Sequence, residues 1–177
     1  MIATGGVVAM FVASGNAGSI DTQPGARQAD MKAMAAAAKA IGAMFNATVP
    51  YDSMAFRAAA ETIRARSGAA LSRQFETGRS LEGSHASSAI DADREKFDAL
   101  AADLAIYANV LVAAAERHPD AITPDMRMRA GDARAGGPLA RKTDAAQAAG
   151  SVAAEHAYHL MLQTCTSCHA RFRASQD

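Results

Sequence analysis

The chain lacks tryptophan, and Phe and Tyr together make up only 5% of its 177 residues. Runs of β-branched residues are almost absent, whereas alanine, the best helix former, is abundant. The 18 basic and 18 acidic side chains balance, so nothing indicates a nucleic-acid-binding surface. Half of the residues are hydrophobic and can form a core. The composition therefore predicts an all-α protein, and the length of 177 residues indicates a single domain.

No apolar run near the start is long enough to span a membrane. The first 19 residues, "MIATGGVVAMFVASGNAGS", contain no charged side chain, and their apolar part, residues 7–13, is too short to cross a bilayer. Small residues follow, as in a secretory signal peptide cleaved near Ala17, although no Lys or Arg precedes the apolar part. We expect residues 1–20 to be a signal peptide or a disordered tail, residues 21–177 to form a periplasmic domain, and no stable membrane span.

The spacing of apolar residues predicts four helices. Offsets of three and four, ended by proline and loop residues, give helices over about 26–45, 53–71, 87–117 and 143–174. A long connection over 118–142 precedes the last helix. Four amphipathic helices predict a four-helix bundle. A looser helical array that binds a partner is the alternative, and periodicity does not separate the two.

Both cysteines of the chain lie in the short motif "CTSCH". They are Cys165 and Cys168, and His169 follows the second directly. On a helix these three side chains share one face. Two thiols can add to the vinyl groups of haem while the histidine binds the iron, and C-x-x-C-H is the attachment motif of haem c. A thioredoxin-like pair would need a βαβ context, a zinc site would need further ligands, and a disulfide would leave His169 unexplained. We expect one covalent haem c on the C-terminal helix.

Three segments carry a resemblance to a known family. These are "CTSCHARFR" at 165–173, "RQADMKAM" at 27–34 and "VPYD" at 49–52. With its haem motif near the C-terminus, the chain resembles the class II c-type cytochromes, the family that includes cytochrome c prime, whose members are four-helix bundles. The resemblance covers most of residues 21–177 and weakens over 118–142.

The resemblance implies further residues of the haem site. In such proteins the first helix faces the side of the haem opposite the histidine. Arg27 and Gln28 are then expected near the haem propionates, and Arg173, one turn beyond His169, is expected among the cofactor-binding residues. Met31 matches the position at which some members carry a ligating methionine and others a residue that does not bind iron.

The role of Met31 separates two expected functions. With His169 and Met31 as axial ligands, the protein is a periplasmic electron carrier that serves redox partner proteins and is not an enzyme. With an open sixth position, the five-coordinate haem binds nitric oxide or carbon monoxide. Met34 lies one turn further on and is a competing ligand, and core packing is the alternative role for Met31. The resemblance also implies a homodimer through the first two helices.

Overall fold

Six helices make up most of the described part of the chain. The structure, a computed structural model, describes residues 24–76, 83–129 and 151–174. The helices are α1 (Pro24–Phe45), α2 (Ser53–Ala65), α3 (Ala69–Arg73), α4 (Ala89–Ala92), α5 (Arg94–Arg117) and α6 (Ala154–Phe172). Within these ranges there is no β-strand, and one isolated antiparallel bridge pairs Ala86 with Arg173.

The four long helices, α1, α2, α5 and α6, form a four-helix bundle. Helix α5 packs on both α2 and α6, and α1 packs mainly on α2. The largest side chains with almost no exposed surface lie in the main core between these helices, and they are Ile41, Phe56, Ile63, Leu111, Met126 and Met161. The prediction of an all-α four-helix bundle is therefore confirmed.

A second, smaller cluster closes one end of the bundle. Its members are Leu71, Phe75, Ile90, Phe97, Leu100, Ala101 and Phe172. The ring of Phe97 lies 5.3 Å from that of Phe75 and 5.4 Å from that of Phe172, both in edge-to-face geometry. These contacts join the residues after α3, the start of α5 and the end of α6. They position the last turn of α6, which carries His169.

The turn between α1 and α2 is fixed by two polar contacts. The Asp52 side chain accepts a hydrogen bond of 2.9 Å from the Ala55 backbone N–H and so caps α2. The Tyr51 hydroxyl donates a bond of 2.8 Å to the His118 carbonyl. The second bond ties this turn to the end of α5, where Pro119 stops the helix as predicted.

The predicted helix over 53–71 is wrong at residues 66–68, where the chain breaks at Gly68. Helix α2 ends at Ala65, and α3 begins at Ala69. Gly68 has a φ of 58°, in the left-handed region that favours glycine. Its N–H donates a 2.8 Å bond to the Ala101 carbonyl on α5. This tertiary bond, which the apolar spacing does not reveal, redirects the chain into α3.

The predicted third and fourth helices also differ from the structure. Asp93, with φ −137° and ψ 56°, separates α4 from α5, so one expected helix becomes two. Helix α6 begins at Ala154, and the three residues before it, 151–153, are not helical. The predicted helix over 143–174 is therefore wrong for residues 151–153. The rest of its expected start, like the expected signal peptide, lies outside the described residues.

One helix in the described ranges is long and apolar enough to cross a membrane by length and composition alone, and it is α5. Half of its apolar stretch is buried inside the bundle, where it contacts α2 and α6. The core helix of a bundle has the same length and apolar character, so these properties follow from its central position.

Candidate haem site

Helix α6 carries the two thiols and the histidine of the C-x-x-C-H motif. Both Cys165 and Cys168 are free thiols. Cys168 and His169 line a cavity at the end of the bundle, whereas Cys165 is partly buried against the main core. The structure thus brings Cys168 and His169 together at the cavity and places Cys165 one turn earlier, outside its lining.

The cavity has a volume of about 410 Å³, within the range of ligand sites. Its apolar lining comes from Met31, Phe75, Ala86, Ile90, Phe97 and Phe172. Its polar lining comes from Arg27, Gln28, Lys32, Ser84, His85, Arg173 and the Cys168–His169 pair. Three separate stretches of chain and the end of α6 therefore meet around one space.

Helix α1 contributes the residues that the resemblance singles out. Arg27 is 3% exposed, and its guanidinium carbon lies 5.0 Å from the centre of the Phe75 ring. The Gln28 amide donates a 3.3 Å bond to the Gly83 carbonyl and so also holds the loop on the other side of the cavity. Both residues line the cavity, so the structure places them where the expected haem site lies.

The two candidate methionines are separated. Met31 is partly buried, lines the cavity and packs against both core clusters. Met34 is 8% exposed and belongs to the main core. It does not line the cavity. Met161, one turn before Cys165, is likewise buried in the main core, so of these three methionines only Met31 faces the site.

The lining is positively charged. Arg27, Lys32 and Arg173 contribute to it, and no Asp or Glu is among the described residues that do. Burial, together with the charge of Arg173, lowers the pKa of His169 below its ordinary value, which favours the neutral imidazole that binds metals. Burial, with Cys165 nearby, raises the pKa of Cys168 to about 11. The site therefore presents a neutral nitrogen ligand, a protonated thiol and cations suited to an anionic group.

Residues 84–86 form a wall of the cavity, and the segment that contains them is held to the end of α6. The Ser87 N–H donates a 2.9 Å bond to the Phe172 carbonyl, and the Ala174 N–H donates a 2.8 Å bond to the His85 carbonyl. These bonds flank the Ala86–Arg173 bridge. They fix the chain just beyond His169, and they bring His85 to the lining from a loop far away in sequence.

Sequence reasoning missed several residues of this cavity. Lys32 lies within the segment "RQADMKAM" but has no property that marks it as a site residue. His85 lies in a polar loop where a histidine has no distinguishing signal. Phe75 and Phe97 fit an apolar pattern that any core residue would share. The haem motif located one wall of the site and the resemblance located the α1 wall, but the remaining walls come from residues whose only common property is their position in the fold.

The residues of the cavity fit a haem. The apolar and aromatic side chains suit a flat porphyrin, and the cations suit its two propionates. The neutral imidazole and the paired thiols on α6 are the donors that haem c requires. The fold and the site together define a c-type haem protein built on a four-helix bundle.

Comparison with known proteins identifies the family. The sequence profile described as Cytochrome C' matches residues 23–135, more than half of the chain, and the chain belongs to the cytochrome c' family. The matched range ends before the C-x-x-C-H motif, which the chain carries in addition. Proteins of this family carry covalently bound haem c, and haem c is the cofactor of this protein. Curated protein sequences include no match to this chain.

Solved structures show the same fold. Cytochrome c' from Thermochromatium tepidum is similar with a TM-score of 0.57 at 23% identity, covering 89% of this chain and 98% of that one. Cytochrome c prime from Shewanella frigidimarina is similar with a TM-score of 0.54 at 19% identity, covering 86% and 98%. The family comprises haem proteins that carry electrons or bind gases, are generally not enzymes, are typically periplasmic and often form homodimers.

Proposed function

We propose that the protein is a periplasmic electron carrier whose haem iron is bound by His169 on one side and Met31 on the other. The observation that supports this proposal is that His169 on α6 and Met31 on α1 line the same cavity, while Met34 is buried elsewhere. Cys165 and Cys168 are proposed to form the two thioether bonds. Residues 1–20 are proposed to direct export.

Each proposed residue has a separate physical task. The iron supplies one-electron chemistry, and a methionine opposite a histidine raises its reduction potential relative to two nitrogen ligands. The Met31 thioether would bind the iron and would thereby exclude exogenous ligands. Arg27, Gln28 and Arg173 are proposed to stabilise the propionates, because charge-assisted hydrogen bonds to carboxylates are strong.

Three phenylalanine side chains that line the cavity are proposed to exclude water from it. Phe75, Phe97 and Phe172 are all buried, so they keep water from one side of the site and make its packing rigid. Rigid apolar packing limits the rearrangement that accompanies a change of charge. Redox partner proteins would then exchange electrons at the open side of the cavity, and a second copy of the chain would pair through α1 and α2.

Gas binding is the second candidate function. It is supported by the family, whose usual form leaves the sixth position open to nitric oxide or carbon monoxide. In this chain Met31 is only partly buried, so its side chain is less tightly enclosed than the fully buried methionines of the main core. The coordination state of the iron therefore separates the two functions.

Visible and near-infrared spectra of the ferric and ferrous protein test the proposal. We expect a low-spin spectrum with the weak near-infrared ferric band of sulfur ligation, and we expect the haem to stay on the chain in acid–acetone. Met31→Ala should produce a high-spin form that binds carbon monoxide when reduced. Met34→Ala is the matched control and should leave the spectrum unchanged, because its side chain lies in the main core.

Two outcomes would contradict this assignment. A high-spin wild-type protein would favour gas binding. A spectrum that changes with Met34→Ala and not with Met31→Ala would remove Met31 as the ligand.

A further inference from the structure

The part of α1 that carries Met31 has few buried side chains. Between Gly25 and Ala33 only Arg27 is buried. From Met34 onward, buried apolar side chains recur along the helix and pack into the main core. Met31 itself is only partly buried, although it packs against both core clusters. The direction in which the first turns of α1 point therefore depends on polar contacts as well as on this packing.

A polar junction at Asp30 supplies such contacts. One carboxylate oxygen of Asp30 accepts a 3.0 Å hydrogen bond from Arg66 Nε, and the other accepts a 2.7 Å bond from Gln74 Nε2. Arg66 caps the end of α2, and Gln74 caps the end of α3. Asp30 thus joins three helices with both of its oxygens.

The partners of Asp30 are themselves held in place. Arg66 also donates a 3.2 Å bond to the Thr62 carbonyl on its own helix. Gln74 follows the short α3, which exists because Gly68 redirects the chain after α2. The junction is partly shielded, since the Asp30 and Arg66 side chains are 29% and 36% exposed. The break at Gly68 therefore places two donors where one carboxylate can reach both.

Helix geometry connects this junction to the iron site. Each residue of an α-helix is rotated by about 100° from the one before it, so holding Asp30 toward α2 and α3 sets the direction of its neighbour Met31. We propose that Asp30 is a positioning residue that holds the Met31 thioether toward the haem. This inference rests on the proposed ligation by Met31.

The substitution Asp30→Asn in the haem-loaded protein tests this role. An amide keeps the shape of the carboxylate, but it carries no charge and its single oxygen can accept only one of the two bonds. The ion pair with Arg66 is therefore lost even if the Gln74 side chain turns its own oxygen toward the new amide nitrogen. Glu61→Gln is the matched control, because it makes the same chemical change at a carboxylate that pairs with Arg57 on the surface of α2.

Two readouts follow the position of Met31. We expect Asp30→Asn to raise the high-spin fraction of the ferric protein. We expect it to speed carbon monoxide capture by the ferrous protein about tenfold to a hundredfold, as the loss of a hydrogen bond to a charged group would do. Glu61→Gln should match the wild type in both readouts.

The outcomes separate this inference from the proposed function. A low-spin wild-type protein whose spectrum and carbon monoxide capture are unchanged by Asp30→Asn overturns the role of Asp30 alone. A wild-type protein that is already high-spin overturns both. Gln74→Met, which removes only one of the two bonds, should give a smaller change in the same direction. If Asp30→Asn does not fold, an unchanged Gln74→Met protein overturns the inference.

Discussion

Phe97 is expected to contribute both to the stability of the fold and to the environment of the haem, and its replacement by leucine should affect both. Phe97 is 3% exposed, lines the cavity and packs edge-to-face against Phe75 and Phe172. Each such aromatic pair contributes about 0.5–1.5 kcal/mol beyond burial, so the loss of two pairs should lower the free energy of unfolding by about 1–3 kcal/mol. Leucine keeps the site apolar but leaves a gap where the ring edge met its neighbours.

The chain contains a matched control in Phe56. Phe56 is fully buried and also packs on two rings, those of Phe45 at 5.4 Å and Tyr51 at 5.7 Å, but it lies in the main core away from the cavity. Phe56→Leu should therefore cost about the same 1–3 kcal/mol while leaving the haem spectrum unchanged.

Two measurements on the same samples decide this prediction. Denaturant unfolding followed by far-ultraviolet circular dichroism gives the free energies, and visible spectra with carbon monoxide capture report the haem environment. Both variants should unfold more easily, and only Phe97→Leu should change the spectrum or the capture rate. Equal spectral changes in the two variants, or no loss of stability in Phe97→Leu, would refute the reasoning.

Two further predictions concern the stability of the fold. Asp52→Ala removes the cap of α2 and should lower the free energy of unfolding by about 1 kcal/mol, and an unchanged thermal midpoint would contradict the capping role. Burial alone would raise the pKa of Asp98, but hydrogen bonds from Arg94 and Ser72 and the charge of Arg94 outweigh it and lower that pKa below 3.8. The native state thus favours the ionised form, so the stabilisation is present above this value and is lost as the pH falls through the lower native pKa. As the pH is lowered, the denaturant midpoint of Asp98→Asn should decline less steeply than that of the wild type. Identical slopes in the two proteins would exclude a contribution of the Asp98 carboxylate to stability.

The helical class of the protein and one wall of its site could be predicted from the sequence, because both depend on local patterns. Alanine-rich segments with apolar residues at offsets of three and four form amphipathic helices whatever their partners. The spacing of the C-x-x-C-H motif places Cys165, Cys168 and His169 on one turn of one helix. The spacing from Arg27 to Met31 is also local, so it placed both residues on the same side of α1.

The interruptions of the helices were decided by tertiary contacts. Gly68 adopts its left-handed conformation where its N–H meets the Ala101 carbonyl of α5, and Asp93 breaks the expected third helix just before α5. Apolar periodicity continues across both positions, so it predicts unbroken helices there. The break after α2 also creates the junction at Asp30, because it brings Arg66 and Gln74 to the same carboxylate.

The sequence by itself determined which residues can attach a haem, since that chemistry needs only two thiols and an imidazole on one helical turn. Only the tertiary structure decided what surrounds them. Met31 and Met34 lie one turn apart on the same helix, yet one lines the cavity and the other fills the core. Phe75 and His85 reach the cavity from segments distant in sequence. Their positions follow from how the bundle closes around its second cluster, and the packing of whole helices against one another is a property that no local pattern encodes.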